Sequence, residues 1–367
     1  MSDGSAVRWR SGHVVSIDRR WPGAVELTAR VQDAKDAHDL PALAYPALVG
    51  EPVVGDRLLL TVGPLTRGLG TGGYALVAGI PDRLPPDPEP SPGHLVKARY
   101  TPLQPIVLGV DEQESMHHAV LRDADDLEAM PVVTADLHSS LPAVLAGVRS
   151  GAPGARVAYV MTDGGALAAW FSRSLAGLRA AGWLVGSVTV GQAFGGDLEA
   201  VTVHTGLLAA RHVLGADVTV VSQGPGNLGT GTRWGFSGVV CGEVVNAAVT
   251  LGGRAVGALR VSEVDPRERH RGVSHHSLTA YGRVALAAAD VVVPAFDGEL
   301  GDVVRAQAAV LSPPHRLVEV PVEGLLAALR TSPVPLSTMG RGLDDDPAAF
   351  LAAAAAGRHA TALLEAR

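Results

Sequence analysis

From residue 132 onward the chain alternates between short, almost unbroken apolar runs and longer amphipathic stretches. Residues 132–137, 156–161, 184–190, 216–221, 255–261 and 290–293 are rich in valine and leucine without polar alternation. Strands covered on both faces read this way. Between them the pattern predicts helices over 166–181, 197–214, 238–251 and 275–289, the first two closed by Gly182 and Gly215. Ser140, with Pro142 near the first turn, starts a helix after the first strand. Residues 317–320 and 321–330 add a last strand and helix, and 352–366 a C-terminal helix expected to pack on the surface.

The first eighty residues differ in texture. Runs over 13–18, 24–31, 53–62 and 74–80 are short and β-type, separated by Pro22-Gly23, Gly55-Asp56 and Gly70 to Gly73. That spacing predicts a small antiparallel barrel. Gly68, Gly70 and Gly73 match the dinucleotide pattern G-x-G-x-x-G, but a strand follows them where a helix terminus would be needed, so they are read as a hairpin loop. The proline-rich stretch after residue 80 reads as an extended linker. The expected organisation is a β-barrel-like domain at 1–80, a linker at 81–98 and an α/β domain at 99–367. The fold class is α/β, a mostly parallel Rossmann-like sheet with flanking helices behind a small antiparallel barrel.

Composition narrows the function by exclusion. A formal charge of -7 and a pI near 6.0 argue against nucleic acid or an anionic membrane as main partner. The polar first ten residues and the absence of a long uncharged apolar run point to a cytoplasmic protein. Cys241 is the single cysteine, which excludes disulfides and thiolate zinc fingers. Lysine occurs twice, at Lys35 and Lys97, so no Walker-type Gly-Lys-Ser/Thr loop exists and Schiff-base chemistry has few carriers. The acidic stretch from Asp111 to Asp126 reads as a solvated helical face.

The chemistry gathers in the loops after the apolar runs. In a right-handed parallel α/β sheet these loops emerge at one edge, where ligands bind. Asp163 precedes Gly164 and Gly165; it would cap a helix, while the glycines would admit a ligand to the backbone amides. Gly195 and Gly196 precede Asp197 and Glu199, acids suited to a metal, a hydroxyl or an amine. Gly224, Gly226 and Gly229 repeat G-x-G-x-x-G directly after a strand, but Pro225 removes one amide and the helix begins late. An anion nest with Thr230 and Thr232 is the better reading there. The densest loop, 265–277, holds His270, His275 and His276 with Arg267, Arg269 and Arg271. Ser274 is the natural N-cap, and a neutral imidazole at a helix start suits proton transfer or metal ligation. Adjacent histidines point apart, so one of the pair is expected to serve. The acids Asp265 and Glu268 cannot pair three arginines, which leaves a guanidinium for an anion. A mixed site of His138, His270, His275 or His276 with Asp163 or Asp197 would take Zn²⁺, Mn²⁺ or Fe²⁺, although no H-x-x-x-H spacing supports it.

Several of these stretches together resemble an uncharacterised bacterial family. They are Gly68-Leu69-Gly70-Thr71-Gly72-Gly73-Tyr74, Met161-Thr162-Asp163-Gly164-Gly165-Ala166-Leu167, Ala193-Phe194-Gly195-Gly196-Asp197-Leu198-Glu199-Ala200-Val201, Gly224-Pro225-Gly226 with Gly229-Thr230-Gly231-Thr232, and 265–280. The resemblance covers nearly the whole chain and implies no activity. The residues themselves favour an enzyme, a hydrolase or transferase, acting on a small anionic metabolite. Asp163, Asp197, His270, His275 and His276 are the catalytic candidates. The glycines, threonines and arginines above are the ligand-binding ones. A non-catalytic nucleotide- or metabolite-binding regulator and an NAD(P)- or flavin-dependent oxidoreductase are the alternatives. The sequence names no cofactor and leaves the oligomeric state open.

Overall fold

A computed structural model describes residues 7–32, 36–70 and 72–365. Lys35, Thr71 and Ala366 therefore lie outside the described residues. The chain divides into two compact units, Met1–Ser91 with Ala98–Pro105 and Pro92–Lys97 with Ile106–Arg367.

The first unit is a closed five-stranded barrel of β1 (Trp9–Trp21), β2 (Ala24–Gln32), β3 (Ala37–Ala44), β4 (Arg57–Thr61) and β5 (Ala75–Gly79), in the order β1-β2-β3-β5-β4. The β3–β5 pair is parallel and the others are antiparallel. Leu58 and Leu60 point into its core while Leu59 is exposed, the alternation of a sheet buried on one side. The run expected over 53–62 begins only at Arg57, because Asp56 accepts a hydrogen bond from the Val53 amide at 2.8 Å and turns the chain at Gly55. β3 escapes the sequence pattern because its first three residues, with His38 and Asp39, are exposed and Pro41 interrupts the apolar half.

The second unit carries an eight-stranded parallel sheet. Its strands are β6 (Pro131–Thr134), β7 (Val157–Thr162), β8 (Gly186–Thr189), β9 (Leu198–Glu199), β10 (Val218–Gln223), β11 (Arg254–Ala258), β12 (Asp290–Ala295) and β13 (Arg316–Pro321). The order is β9-β8-β7-β10-β6-β11-β12-β13, every pair parallel. Strands β6, β7, β8 and β10 are buried at every residue. On one face α1 (Leu141–Gly151), α2 (Arg173–Ala180), α7 (Leu325–Arg330) and α8 (Pro347–Glu365) pack over Val133, Tyr159 and Val220. On the other, α3 (Val203–His212), α4 (Val240–Thr250), α5 (His275–Thr279) and α6 (Gly298–Ala308) accompany Val132, Val160 and Val221. The chain leaving β6 thus turns to one face, while the chains leaving its neighbours β10 and β11 turn to the other. That divergence opens a crevice at the carboxyl edge.

Several helix boundaries differ from the sequence pattern. The helix expected over 166–181 starts at Arg173, because the amides of Ala166 and Ala169 bond to Pro225 and Phe194 of neighbouring loops. Ser172 then caps it, accepting from Leu175 N at 2.9 Å. The helix expected from Asp197 starts at Val203, since Leu198–Glu199 adds an edge strand to β8. The one expected over 275–289 is α5 followed by a single π turn, Ala280–Val284. The C-terminal helix is interior and not a surface element: Ala352 to Ala356 are all buried. Among the described residues no helix is long and apolar enough to cross a membrane.

Candidate functional site

The connection from β11 to α5 is braced by buried ion pairs. Val261–Ser262 and Gly272–Val273 pair as a short antiparallel ribbon. The segment between them is fastened from beneath by Asp265, a fully buried carboxylate. Arg267 reaches it through Nε at 2.9 Å and Nη2 at 2.8 Å, and Arg341 through Nη2 at 3.2 Å. Arg341 also holds buried Asp346, which accepts from Ser262 Oγ at 2.6 Å. These bonds hold Asp265 well below the usual carboxylate range, the Arg267 hydrogen bond first among them.

Ser274 ends the loop as the N-cap of α5, its Oγ accepting from His276 N at 3.2 Å. The same oxygen lies 2.7 Å from His270 Nδ1. Three imidazoles meet around it. Ring centroids are 4.9 Å apart for His270 and His275, 4.9 Å for His270 and His276, and 4.4 Å for His275 and His276. Phe236 stacks on His276 at 3.8 Å. Both members of the adjacent pair therefore face His270, where adjacent histidines were expected to point apart. The short helix begins beside the returning loop, which lets neighbouring positions converge on a third residue.

Asp136, just past the end of β6, supports this group from below. Its Oδ2 lies 3.5 Å from His276 Nδ1 and 3.5 Å from Arg260 Nη1. Burial alone would raise its carboxyl, but the His276 hydrogen bond and the Arg260 charge outweigh that and lower it. Burial, reinforced by Arg260 and Arg267, pushes His270 down to about 3. Burial, with His276 and Arg269, pushes His275 down to about 4. Both are neutral at pH 7. His275 Nε2 is buried and has no hydrogen-bond partner.

His275 also lies on the wall of an open groove of about 700 Å³ with Arg233, Arg269, Arg283 and Thr279. The three arginines are exposed, and among the described residues none has a carboxylate within ion-pair distance. Positive charge left uncompensated beside a neutral imidazole is suited to an anion and a proton transfer.

Residues 41–357 match the family described as "Protein of unknown function (DUF3866)". The chain belongs to that family. No curated protein matches it. The match takes in all eight parallel strands and the histidine–arginine loop, and it carries no activity with it.

The remaining candidates of this DUF3866 chain sit elsewhere on the sheet. Asp163, after β7, accepts from Gln192 N at 2.8 Å. Asp197 lies at the amino end of β9, where it accepts from Arg179 Nη2 at 2.7 Å, Ser187 N at 2.7 Å and Ser187 Oγ at 2.8 Å. Three strands separate β8 from β11, about 19 Å at ordinary strand spacing, so Asp197 is not brought to the histidines. Gly164 and Gly165 pack against the β10 loop; a Cβ on Gly165 would run into the Gly224 carbonyl, and one on Gly224 into the Ala166 carbonyl. Gly195 and Gly196 lie against Trp170 and Thr189. Gly224 and Gly226 line a separate cleft of about 320 Å³ with His138, Ser172 and Thr338. Gly229, Thr230 and Thr232 are exposed, with Thr230 and Thr232 bonded to each other at 3.0 Å. Of the loop arginines, Arg267 is committed to Asp265, Arg271 is exposed and Arg269 lines the groove. His138 has both ring nitrogens engaged, by Tyr159 at 2.9 Å and Ser172 at 2.6 Å. Buried Lys97 donates to the carbonyls of Ala193 at 3.1 Å and Ala200 at 2.8 Å. Sequence reasoning missed Asp136, Arg260, Phe236, Arg233 and Arg283. The signal for the first two was present: each is a charged residue inside an apolar run, which marks where a strand stops.

Proposed function

We propose that this protein is an enzyme, a hydrolase or transferase, acting on a small anionic molecule at the carboxyl edge of its parallel sheet. The observation that carries the reading is His275, neutral at pH 7, on the wall of a groove with three uncompensated arginines. Arg269, Arg233 and Arg283 hold the negative charge. His275, supported by His270 and His276, accepts a proton from a water in the hydrolase case or from an acceptor hydroxyl in the transferase case. Asp163 and Asp197 are assigned to holding loops, and Arg267 to bracing the site. The glycine pattern after β10 does not favour a dinucleotide. Its first glycine is spent on loop packing, and the next helical turn begins only at Ser237. The same reading keeps the protein in the cytoplasm, with a metabolite and neither nucleic acid nor membrane as its partner. Its support is the pI near 6.0 and the single buried cysteine.

The test is incubation with a cell metabolite extract followed by mass spectrometry. The reading expects one anionic component to be consumed by the parent protein and spared by His275→Ala. An anion retained but never consumed would make the protein a regulatory binder. With no component either consumed or retained, the proposal fails.

A further inference from the structure

We propose that His270, His275 and His276 form the protein ligands of a transition-metal centre of the three-histidine type that zinc occupies. One ring nitrogen of each lies within 4.8 Å of those of the other two. Hydrogen bonds decide which nitrogens are available. His270 Nδ1 is engaged by Ser274 Oγ at 2.7 Å, and His276 Nδ1 lies 3.3 Å from Arg260 Nη1 and 3.5 Å from Asp136 Oδ2, which leaves Nε2 on each ring. His275 Nε2 is buried and unpartnered. With the proton of His270 and of His276 on Nδ1, the inward nitrogens would be acceptors around a gap that a cation can fill, and His275 Nε2 is already left without a partner. A purely structural cluster would satisfy each nitrogen separately.

The surroundings have the form of a metal site. Ser274 Oγ stands at the far nitrogen of His270, and Asp136 Oδ2 with Arg260 Nη1 at that of His276, where the outer partners of metal-bound histidines stand. Phe236 stacked on His276 restrains the ring plane. Arg260 shares the Asp136 carboxylate, so that acid is neutralised before any metal arrives. Metal–nitrogen bonds of about 2.0–2.1 Å place tetrahedral ligands about 3.3 Å apart, so the rings would close by roughly 1–1.5 Å through side-chain rotation. Imidazoles without an oxygen ligand select Zn²⁺, Co²⁺ and their neighbours over Mg²⁺ or Ca²⁺. His275 also lines the arginine groove, which puts one ligand of the centre on the groove wall. For its role the centre rests on the enzyme reading above. With a metal bound, His275 would be a ligand and no longer the proton acceptor; the metal would then supply the Lewis acid or bound hydroxide opposite the anion, and the arginines would keep their role.

The experiment uses full-length, tag-free protein, stripped with chelator and dialysed, then titrated with cobalt(II). The expected result is one equivalent bound, with the visible bands of four- or five-coordinate cobalt, displacement by zinc and a raised melting temperature. His270→Ala and His275→Gln should lose the bands, and the exposed control His204→Ala should keep them. The parent protein decides even where a variant fails to fold: no bands and no melting shift would overturn the proposal. So would full retention of both in folded His270→Ala and His275→Gln. Titrating the same samples with inorganic phosphate separates the two readings. Phosphate binding without cobalt binding discards the metal centre and keeps the groove. Cobalt binding with no phosphate binding in either form keeps the centre and discards the anion site.

Discussion

Buried carboxylates in this chain are paired, and the pairing decides which arginines remain for other work. Asp265 occupies Arg267 and part of Arg341, so the charge in the 265–277 loop that reaches the groove is Arg269. Asp290 shows the same chemistry away from the site, at the amino end of β12. Arg316 grips it through both nitrogens, and His359 of α8 lies 2.7 Å from Oδ2. Burial would raise its carboxyl, but the bonds from His359 and Arg316 outweigh that and hold it at about 2, against an ordinary value of 3.8. A lowered carboxylate stabilises the fold fully above its unfolded value. That stabilisation is lost as pH falls through the folded one, and the shift is worth about 2 kcal/mol. Urea unfolding of Asp290→Asn should therefore show a deficit near that size at pH 7, shrinking steadily in acid. A deficit of the same size at pH 7 and pH 2.5 would contradict the assignment.

Helices α1 and α8 are packed as closely as their backbones allow. A Cβ on Gly147 would meet the Ala354 carbonyl, and one on Gly357 the Val144 carbonyl. The crossing buries the alanine run from Ala352 to Ala356 against the sheet. Gly357→Ala adds one methyl where a carbonyl already sits, so the helices must separate, at a cost of roughly 1–3 kcal/mol. Thermal unfolding should show a lowered midpoint, and an unchanged one would refute this packing account. Alanine explains why the sequence pattern put α8 outside. It is compatible with a surface or a tight interior, and the partner glycine at 147 lies two hundred residues away. The over-long helices have a related cause. Residues 166–171 and 197–202 continue a helical apolar pattern, but their groups bond to loops contributed by other strands. Nothing local records that competition. Strands were more legible, because burial on both faces writes valine and leucine at every position.

At the scale of the molecule, apolar runs followed by polar loops were enough to foresee a parallel sheet behind a small barrel. His270, His275, His276 and Arg269 stood out by density within one loop. Asp136 and Arg260 were hidden inside runs taken whole as strands, and Arg233 and Arg283 reach the groove from separate segments. The fold also distributes what the sequence pooled: the Gly224 loop and His275 line different clefts, and Asp197 sits at the other end of an edge strand. The central claim is that an anion binds between the three free arginines and His275. Calorimetric titration with inorganic phosphate and with citrate, comparing the parent with Arg269→Lys, tests it most directly. Lysine keeps the charge and loses the planar fork, which should cost about 1.5–3 kcal/mol, or roughly ten- to a hundredfold in affinity. The account predicts that loss for at least one of the two anions. If neither anion binds the parent, or the lysine variant binds both equally well, the groove is a solvated face and the claim is wrong.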